Sequence, residues 1–207
     1  MPNWCSNSVT LRGESTRIRE LADAFKRGEF CSAVIPIPAE LQNPDTGSYG
    51  GEDADAKDRL REALTKKYGY SGWYDFCVGR WGTKWDVGDE HSFELSEDGT
   101  ELRLNFDSAW APPQGVYEAL HEEGIDVDAF YYESGMGFCG RYFQGTDNYY
   151  ELNNMNSAEV AETLDPDIDE MFGISESMAE YEEEQRMEDE LYRWTKEGGE
   201  KLELKAA

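Results

Sequence analysis

Residues 101–133 read ELRLNFDSAWAPPQGVYEALHEEGIDVDAFYYE, and this stretch decides the fold. Leu102 to Phe106 alternates apolar and polar side chains, the period-2 pattern of a half-buried strand. Pro112 and Pro113 precede a helix from Gln114 to Glu123, which turns Val116, Ala119 and Leu120 to one face and ends at Gly124. Asp126 to Glu133 then alternates again, with Val127, Ala129 and Tyr131 on one side.

Upstream, Ser92 to Leu95 predicts a strand, and Glu97-Asp98-Gly99 predicts the hairpin turn that joins it to Leu102–Phe106. Trp4 to Arg12 is a further strand, in which Val9 and Leu11 alternate with Thr10 and Arg12 up to Gly13. Ser15 is placed to cap a helix that runs to about Arg27 and carries Ile18, Leu21, Ala22 and Phe25 on one face. The order is β-α, an insertion at about residues 30–80, then β-β-α-β. That is the α+β order of a ferredoxin-like split β-α-β sheet.

Within the insertion, Phe30 to Pro38 reads as extended, because Pro36-Ile37-Pro38 cannot continue a helix. Asn43 to Gly51 reads as a loop, Asp53 to Tyr68 as a charged helix with Leu60, Ala63 and Leu64 inward, and Trp73 to Trp81 as a short aromatic helix. Trp85-Asp86-Val87 reads as a strand. The glycines of Gly135 to Gly140 mark a turn or bulge into a strand through Phe143, and Tyr149 to Leu152 closes the sheet.

The domain so defined covers residues 1–156, and the character changes from Ser157. Residues 157–207 hold seventeen acidic and five basic side chains, so they read as an acidic helical C-terminal extension. Ala158 to Leu164 is a short helix, broken at Asp165-Pro166-Asp167. Ser175 or Ser177 then caps a long helix to about Thr195, with Met178, Tyr181, Met187, Leu191 and Trp194 as an apolar stripe. The plain reading docks that stripe on the body and leaves the acidic back in water. The functional reading makes Glu180, Glu182, Glu183, Glu184, Glu188, Asp189 and Glu190 a surface for a basic partner.

Charge narrows the function classes. The 207 residues carry a net charge of −26, with 39% hydrophobic and 13% aromatic side chains, enough for a packed core. Binding DNA requires Lys or Arg to displace phosphate counterions, so direct nucleic-acid binding is not expected. Anionic membranes are repelled in the same way. The partner expected is a basic surface of a host protein or ribonucleoprotein, although solubility or adaptation to high salt also explains the acidity. No apolar run reaches the roughly 20 residues that span a bilayer, and Met1-Pro2-Asn3-Trp4-Cys5 does not resemble a signal peptide. The expected location is therefore the host cytoplasm. Cys5, Cys31, Cys77 and Cys139 form no C-x-x-C pair and read as buried free thiols.

Several motifs together resemble one family. They are Asn3-Trp4-Cys5-x-Asn7, Trp81-Gly82-Thr83-Lys84-Trp85-Asp86, Phe106-Asp107-Ser108-Ala109-Trp110-Ala111-Pro112-Pro113 and Gly135-x-Gly137-Phe138-Cys139-Gly140. The chain resembles the YubB-like proteins of enterobacterial phages and conjugative plasmids over about its first 150 residues. The resemblance implies a ferredoxin-like domain and a mobile-element setting. It implies no activity and no catalytic residue.

The residues offer little chemistry. The only histidines, His91 and His121, are unconnected, and no nucleophile elbow, zinc motif, P-loop or dinucleotide fingerprint is present. No cofactor is expected. Asp86, Asp107 and Glu133 lie near predicted strand ends and would form a metal-binding carboxylate cluster if they converged. Lys84 and Arg80 sit beside Trp81 and Trp85, where they would either line a small polar and aromatic pocket or pair with local acids while the tryptophans pack. Trp81, Trp85, Trp110 and Tyr142 are the aromatic candidates for a protein interface, with core packing as the plainer alternative.

Three functions follow in order. The first is an acidic phage or plasmid inhibitor that mimics DNA and occludes a nucleic-acid-binding defence complex, such as a restriction or CRISPR effector. The second is a protein–protein module that uses an aromatic face. The third is a metal-dependent hydrolase.

Overall fold

The computed structural model describes residues 3–42 and 54–196. The loop expected at Asn43–Gly51 and the last residues of the acidic tail lie outside them. The chain divides into two compact units, Met1–Asn153 and Asn154–Ala207.

The first unit is built on an α+β sheet of six strands: β1 (Trp4–Arg12), β2 (Phe93–Leu95), β3 (Glu101–Ala109), β4 (Asp126–Glu133), β5 (Phe138–Phe143) and β6 (Thr146–Glu151). Their spatial order is β2-β3-β1-β4-β5-β6, and every pairing is antiparallel. The register lines up the apolar positions. Val9 faces Leu104 and Ala129 across the ladder, and Leu11 faces Leu102 and Val127. These side chains meet Ile18, Leu21 and Phe25 of α1 (Ser15–Lys26) and residues of a later helix in one core. A Val or Leu side chain buried this fully contributes about 1.5–3 kcal/mol. The opposite strand positions carry polar groups, among them an Arg12–Glu101 pair at 2.7 Å and Arg141 held on Asp128 at 2.8 and 3.0 Å.

The insertion departs from its sequence reading at both ends. Phe30–Val34 is a helix, α2, and not an extended segment. The prolines act only from the next residue on, since Ile35 leaves the helix at φ −125° and ψ 87°. The start of α2 is held from far along the chain. The Asp86 carboxylate accepts from the backbone N–H groups of Cys31 at 2.6 Å and Ser32 at 3.1 Å. That task pulls Trp85-Asp86-Val87 out of any strand. The helices α3 (Ala54–Tyr68) and α4 (Trp73–Arg80) form where expected, but α3 buries only Leu64: Leu60 is half-buried, and Ala63, expected inward, is exposed. In α1 the cap is Glu14 and not Ser15, its carboxylate accepting from Thr16 and Arg17 N–H. Those two donors hold its pKa below the ordinary carboxylate value.

Helix α5 (Gln114–Glu122) connects β3 to β4 and buries Val116, Tyr117 and Leu120. Beneath it lies a buried polar network. Asn7 donates to Cys5 O at 2.7 Å and to Ser108 Oγ at 2.8 Å, while the Tyr117 hydroxyl donates to Asn7 Oδ1 at 3.0 Å. Each polar atom there has a partner, so the network fixes the end of β3 without leaving an unpaired group.

The second unit contains α6 (Ser157–Thr163), α7 (Pro166–Phe172) and α8 (Ile174–Lys196). Asn156 and Glu159 form a reciprocal capping box on α6. Asp165 caps α7, with Pro166 in its first turn, and Gly173 closes it at φ 59°. The long helix starts at once from Ile174, so neither Ser175 nor Ser177 is its cap. No helix among the described residues is long and apolar enough to cross a membrane.

Candidate functional site

Four segments that are distant in sequence meet around Lys84. Helix α4 ends at Arg80, Trp81 turns into the core, and Gly82 takes φ +93°. The backbone then runs close against the segment after β3. Thr83 donates its hydroxyl to Ala109 O at 3.0 Å, and Gly115 donates its N–H to Trp81 O at 3.1 Å. A side chain on Gly82 would meet Pro112 O at 2.8 Å.

Trp110 is the strained member of this crossing. Its φ of 71° lies in the left-handed region, which costs a non-glycine residue of order 1–3 kcal/mol. Its N–H bonds to Asn3 O at 2.9 Å, and Ser108 Oγ secures Ala111 O at 2.8 Å. The bend turns the indole outward beside Lys84.

The rings form a continuous patch. Trp4 and Trp85 lie 5.9 Å apart, Tyr74 and Trp110 6.3 Å, and Trp73 and Tyr74 6.0 Å. The Lys84 Nζ links them, at 4.5 Å from the Trp85 ring, 5.3 Å from Trp110 and 5.7 Å from Tyr74. Each such contact is worth about 0.5–1 kcal/mol at an exposed position. Trp4, Tyr74, Trp85 and Trp110 are 39–51% exposed. Among the described residues Lys84 forms no ion pair, so its charge is met only by ring faces.

Two of the four aromatic candidates from the sequence, Trp85 and Trp110, come together here. The other two do not. Trp81 is 2% exposed and donates its indole N–H to Ile35 O at 2.8 Å, which makes it a core side chain. Tyr142 is equally buried, packed 5.9 Å from Tyr117. Trp4 and Tyr74 are the members that sequence reasoning missed. A signal existed for Trp4, because strand alternation puts it on the side opposite buried Cys5 and Asn7.

The proposed carboxylate cluster does not assemble. Asp86 caps α2, Asp107 accepts from Ser6 Oγ at 2.8 Å, and Glu133 accepts from the N–H groups of Gly135 at 3.0 Å and Met136 at 2.5 Å. Among the described residues no group of three or more His, Cys, Asp or Glu side chains is placed to hold a metal ion. His91 is exposed beside Glu90, and His121 lies on the last turn of α5 near Gln144. All four thiols are free and buried. Burial, with the Glu133 charge, pushes Cys5 up to about 12. Burial and Asp86 do the same for Cys77.

In the second unit the acidic candidates divide. Glu182 accepts from the Ser157 backbone N–H and hydroxyl, and Glu183 pairs with Arg186 at 2.6 Å. Glu180, Glu184, Glu188, Asp189 and Glu190 are exposed. Of the apolar stripe, Met178 is half-buried, and Tyr181, Met187, Leu191 and Trp194 are 40–62% exposed.

The chain is similar to the crystal structure of a protein api92 from Yersinia pseudotuberculosis, of the family DUF1281. The identity is 12%, the match covers 75% of this chain and 100% of that one, and the TM-score is 0.38. At that score the likeness adds nothing to the reading of this chain. No protein-family model and no curated protein matches it.

Proposed function

We propose that this chain is a non-enzymatic interaction protein that holds a partner protein on the aromatic cluster around Lys84. One observation carries the reading: a contiguous set of exposed rings, joined by a lysine that has no carboxylate of its own among the described residues. Exposed apolar patches of this kind mark interaction sites, and Trp and Tyr dominate binding energy where they are found. The crossing of four backbone segments preorganises the rings, which lowers the entropy lost on binding.

The acidic-decoy reading keeps a specific support of its own, the exposed carboxylates of α8. In that reading a phage or plasmid protein in the host cytoplasm occludes a basic, nucleic-acid-binding defence complex. We also read β1-α1-β2-β3-α5-β4 as ferredoxin-like. The order β2-β3-β1-β4, with both helices in crossovers between non-adjacent strands, supports this, and β5 and β6 extend the β4 edge.

The test is site-specific photocrosslinking in the natural host, with a photoreactive phenylalanine in place of Trp85 and, as a control, of Arg12 on the polar face of the sheet. One protein captured from position 85 and not from position 12 supports the aromatic reading. No adduct at 85, or the same adducts at both positions, sinks it.

A further inference from the structure

We infer that the C-terminal half of α8 is a docking site for a basic amphipathic helix of another protein. The inference is independent of the aromatic-cluster reading. It also departs from the decoy reading, because it requires apolar contact as well as charge.

Helix α8 has 23 residues and is about 34 Å long. Its first turns are used within the second unit: Ile174 is buried, Met178 is half-buried, and Glu182 accepts from Ser157 at the start of α6. Beyond Glu182 no described residue of the helix is buried within the second unit. Yet Met187, Leu191 and Trp194 follow the i, i+4, i+7 spacing that gathers side chains into one stripe. Glu180, Glu183, Glu184 and Glu188 border that stripe, and with Met187 and Leu191 they line a shallow groove.

The border selects the occupant. Helix α8 carries eight acidic and three basic side chains, a net of −5. A second copy laid on the groove would set two such helices side by side, and like charges at helix-pair flanks repel. An uncharged apolar partner would strip water from the carboxylates and return no counter-charge. Anionic lipid and nucleic acid meet the same repulsion. A helix with an apolar stripe edged by Lys or Arg fills the groove and pairs with its rim, the helix-in-groove mode of recognition.

The experiment uses the full chain and a synthetic helix of about five turns, with a Leu stripe edged by Lys, labelled for fluorescence polarisation. A scrambled peptide of equal charge and no stripe is the control. We expect the amphipathic peptide to bind and to gain helix by circular dichroism, with affinity falling as salt rises from about 0.05 to about 0.5 M. Leu191→Asp should weaken binding by at least about tenfold, the loss expected for one buried apolar contact. The triple change Glu183→Gln, Glu184→Gln and Glu188→Gln should weaken it by a similar factor at low salt. These positions are exposed, so the variants keep the parent's circular dichroism. Equal binding of the scrambled peptide, or binding indifferent to Leu191→Asp, overturns the proposal in favour of simple charge attraction. A dimer of the protein alone, seen by analytical ultracentrifugation and broken by Leu191→Asp, overturns it in favour of a second copy.

Discussion

Glu182 of α8 accepts two hydrogen bonds from Ser157 at the start of α6, one from the backbone N–H at 2.7 Å and one from the hydroxyl at 2.8 Å. The carboxylate thus satisfies a donor that no turn of α6 itself can reach, and it sits where the helix dipole favours negative charge. Of seven acidic positions read from the sequence as a partner surface, this one serves the fold. Glu182→Ala should release the first turn of α6 and speed amide exchange across Ala158–Thr163. Glu180→Ala, two residues earlier and without that bond, should leave exchange there unchanged. Equal protection in the two variants would remove the latch.

Trp81 and Trp85 are four residues apart and have opposite fates. Trp81→Ala removes a buried ring and leaves Ile35 O without its indole donor, so it should cost about 3–5 kcal/mol of stability. Trp85→Ala removes an exposed ring and should cost less than about 1 kcal/mol. Urea denaturation of both variants checks the contrast. Similar losses would mean that the cluster around Lys84 is structural and not an open surface.

These two tryptophans also show where the sequence was legible. The alternation of β1, β3 and β4 and the apolar faces of α1 and α5 are local periodicities, and they placed the sheet and its helices. Local pattern could not tell Trp81 from Trp85, because both stand in a Gly-containing turn. Their difference comes from Ile35 and from the segment after β3, both remote in sequence. The same reason hid α2, whose start is held by Asp86 from 55 positions away. The cluster around Lys84 was half legible: Trp85 and Trp110 carried the signal, while Tyr74 and Trp4 join only through tertiary contact.

Asp86 offers a direct test of a carboxylate that the sequence left open as a metal ligand. It accepts from Cys31, Ser32 and its neighbour Val87, so it acts as a cap delivered from another segment. Asp86→Ala strands two helix-start donors and should cost about 2 kcal/mol, at the upper end for a lost cap. Added divalent cations should not change the stability of the parent protein. A cation-dependent rise in its melting temperature that Asp86→Ala abolishes would restore the metal reading.

The buried thiols set an alkaline limit. Cys5 and Cys77 are each pushed from the ordinary 9.0 up to about 12, mainly by burial. A raised acid stays protonated in the fold after it has ionised in the unfolded chain. Its contribution is therefore fully present below pH about 9 and is lost as pH climbs toward 12, at a slope of up to about 1.4 kcal/mol per pH unit for each thiol. Stability should be flat from pH 7 to 8.5 and fall steeply above that. Cys5→Ala should make the fall shallower. At pH 8 the folded protein should not react with a disulfide reagent, and it should show four thiols only when unfolded. Rapid modification of the native protein would contradict the burial.

Gly115 gives the sharpest test of how the cluster is built. It lies in the first turn of α5, where exchanging Gly for Ala normally stabilises a helix by up to about 1 kcal/mol. Here a Cβ would run into the backbone oxygen of Arg80, and the Gly115 N–H is already bonded to Trp81 O. Neither contact is the free end of a side chain, so the two backbones must separate. Gly115→Ala should reverse the usual sign and destabilise the protein by about 1–3 kcal/mol. Because the same crossing positions Lys84 and Trp110, the variant should also lose the capture of a partner from position 85. A melting temperature at or above the parent's would show that the segments need not approach so closely. The rigidity argued for the aromatic cluster would then have no basis.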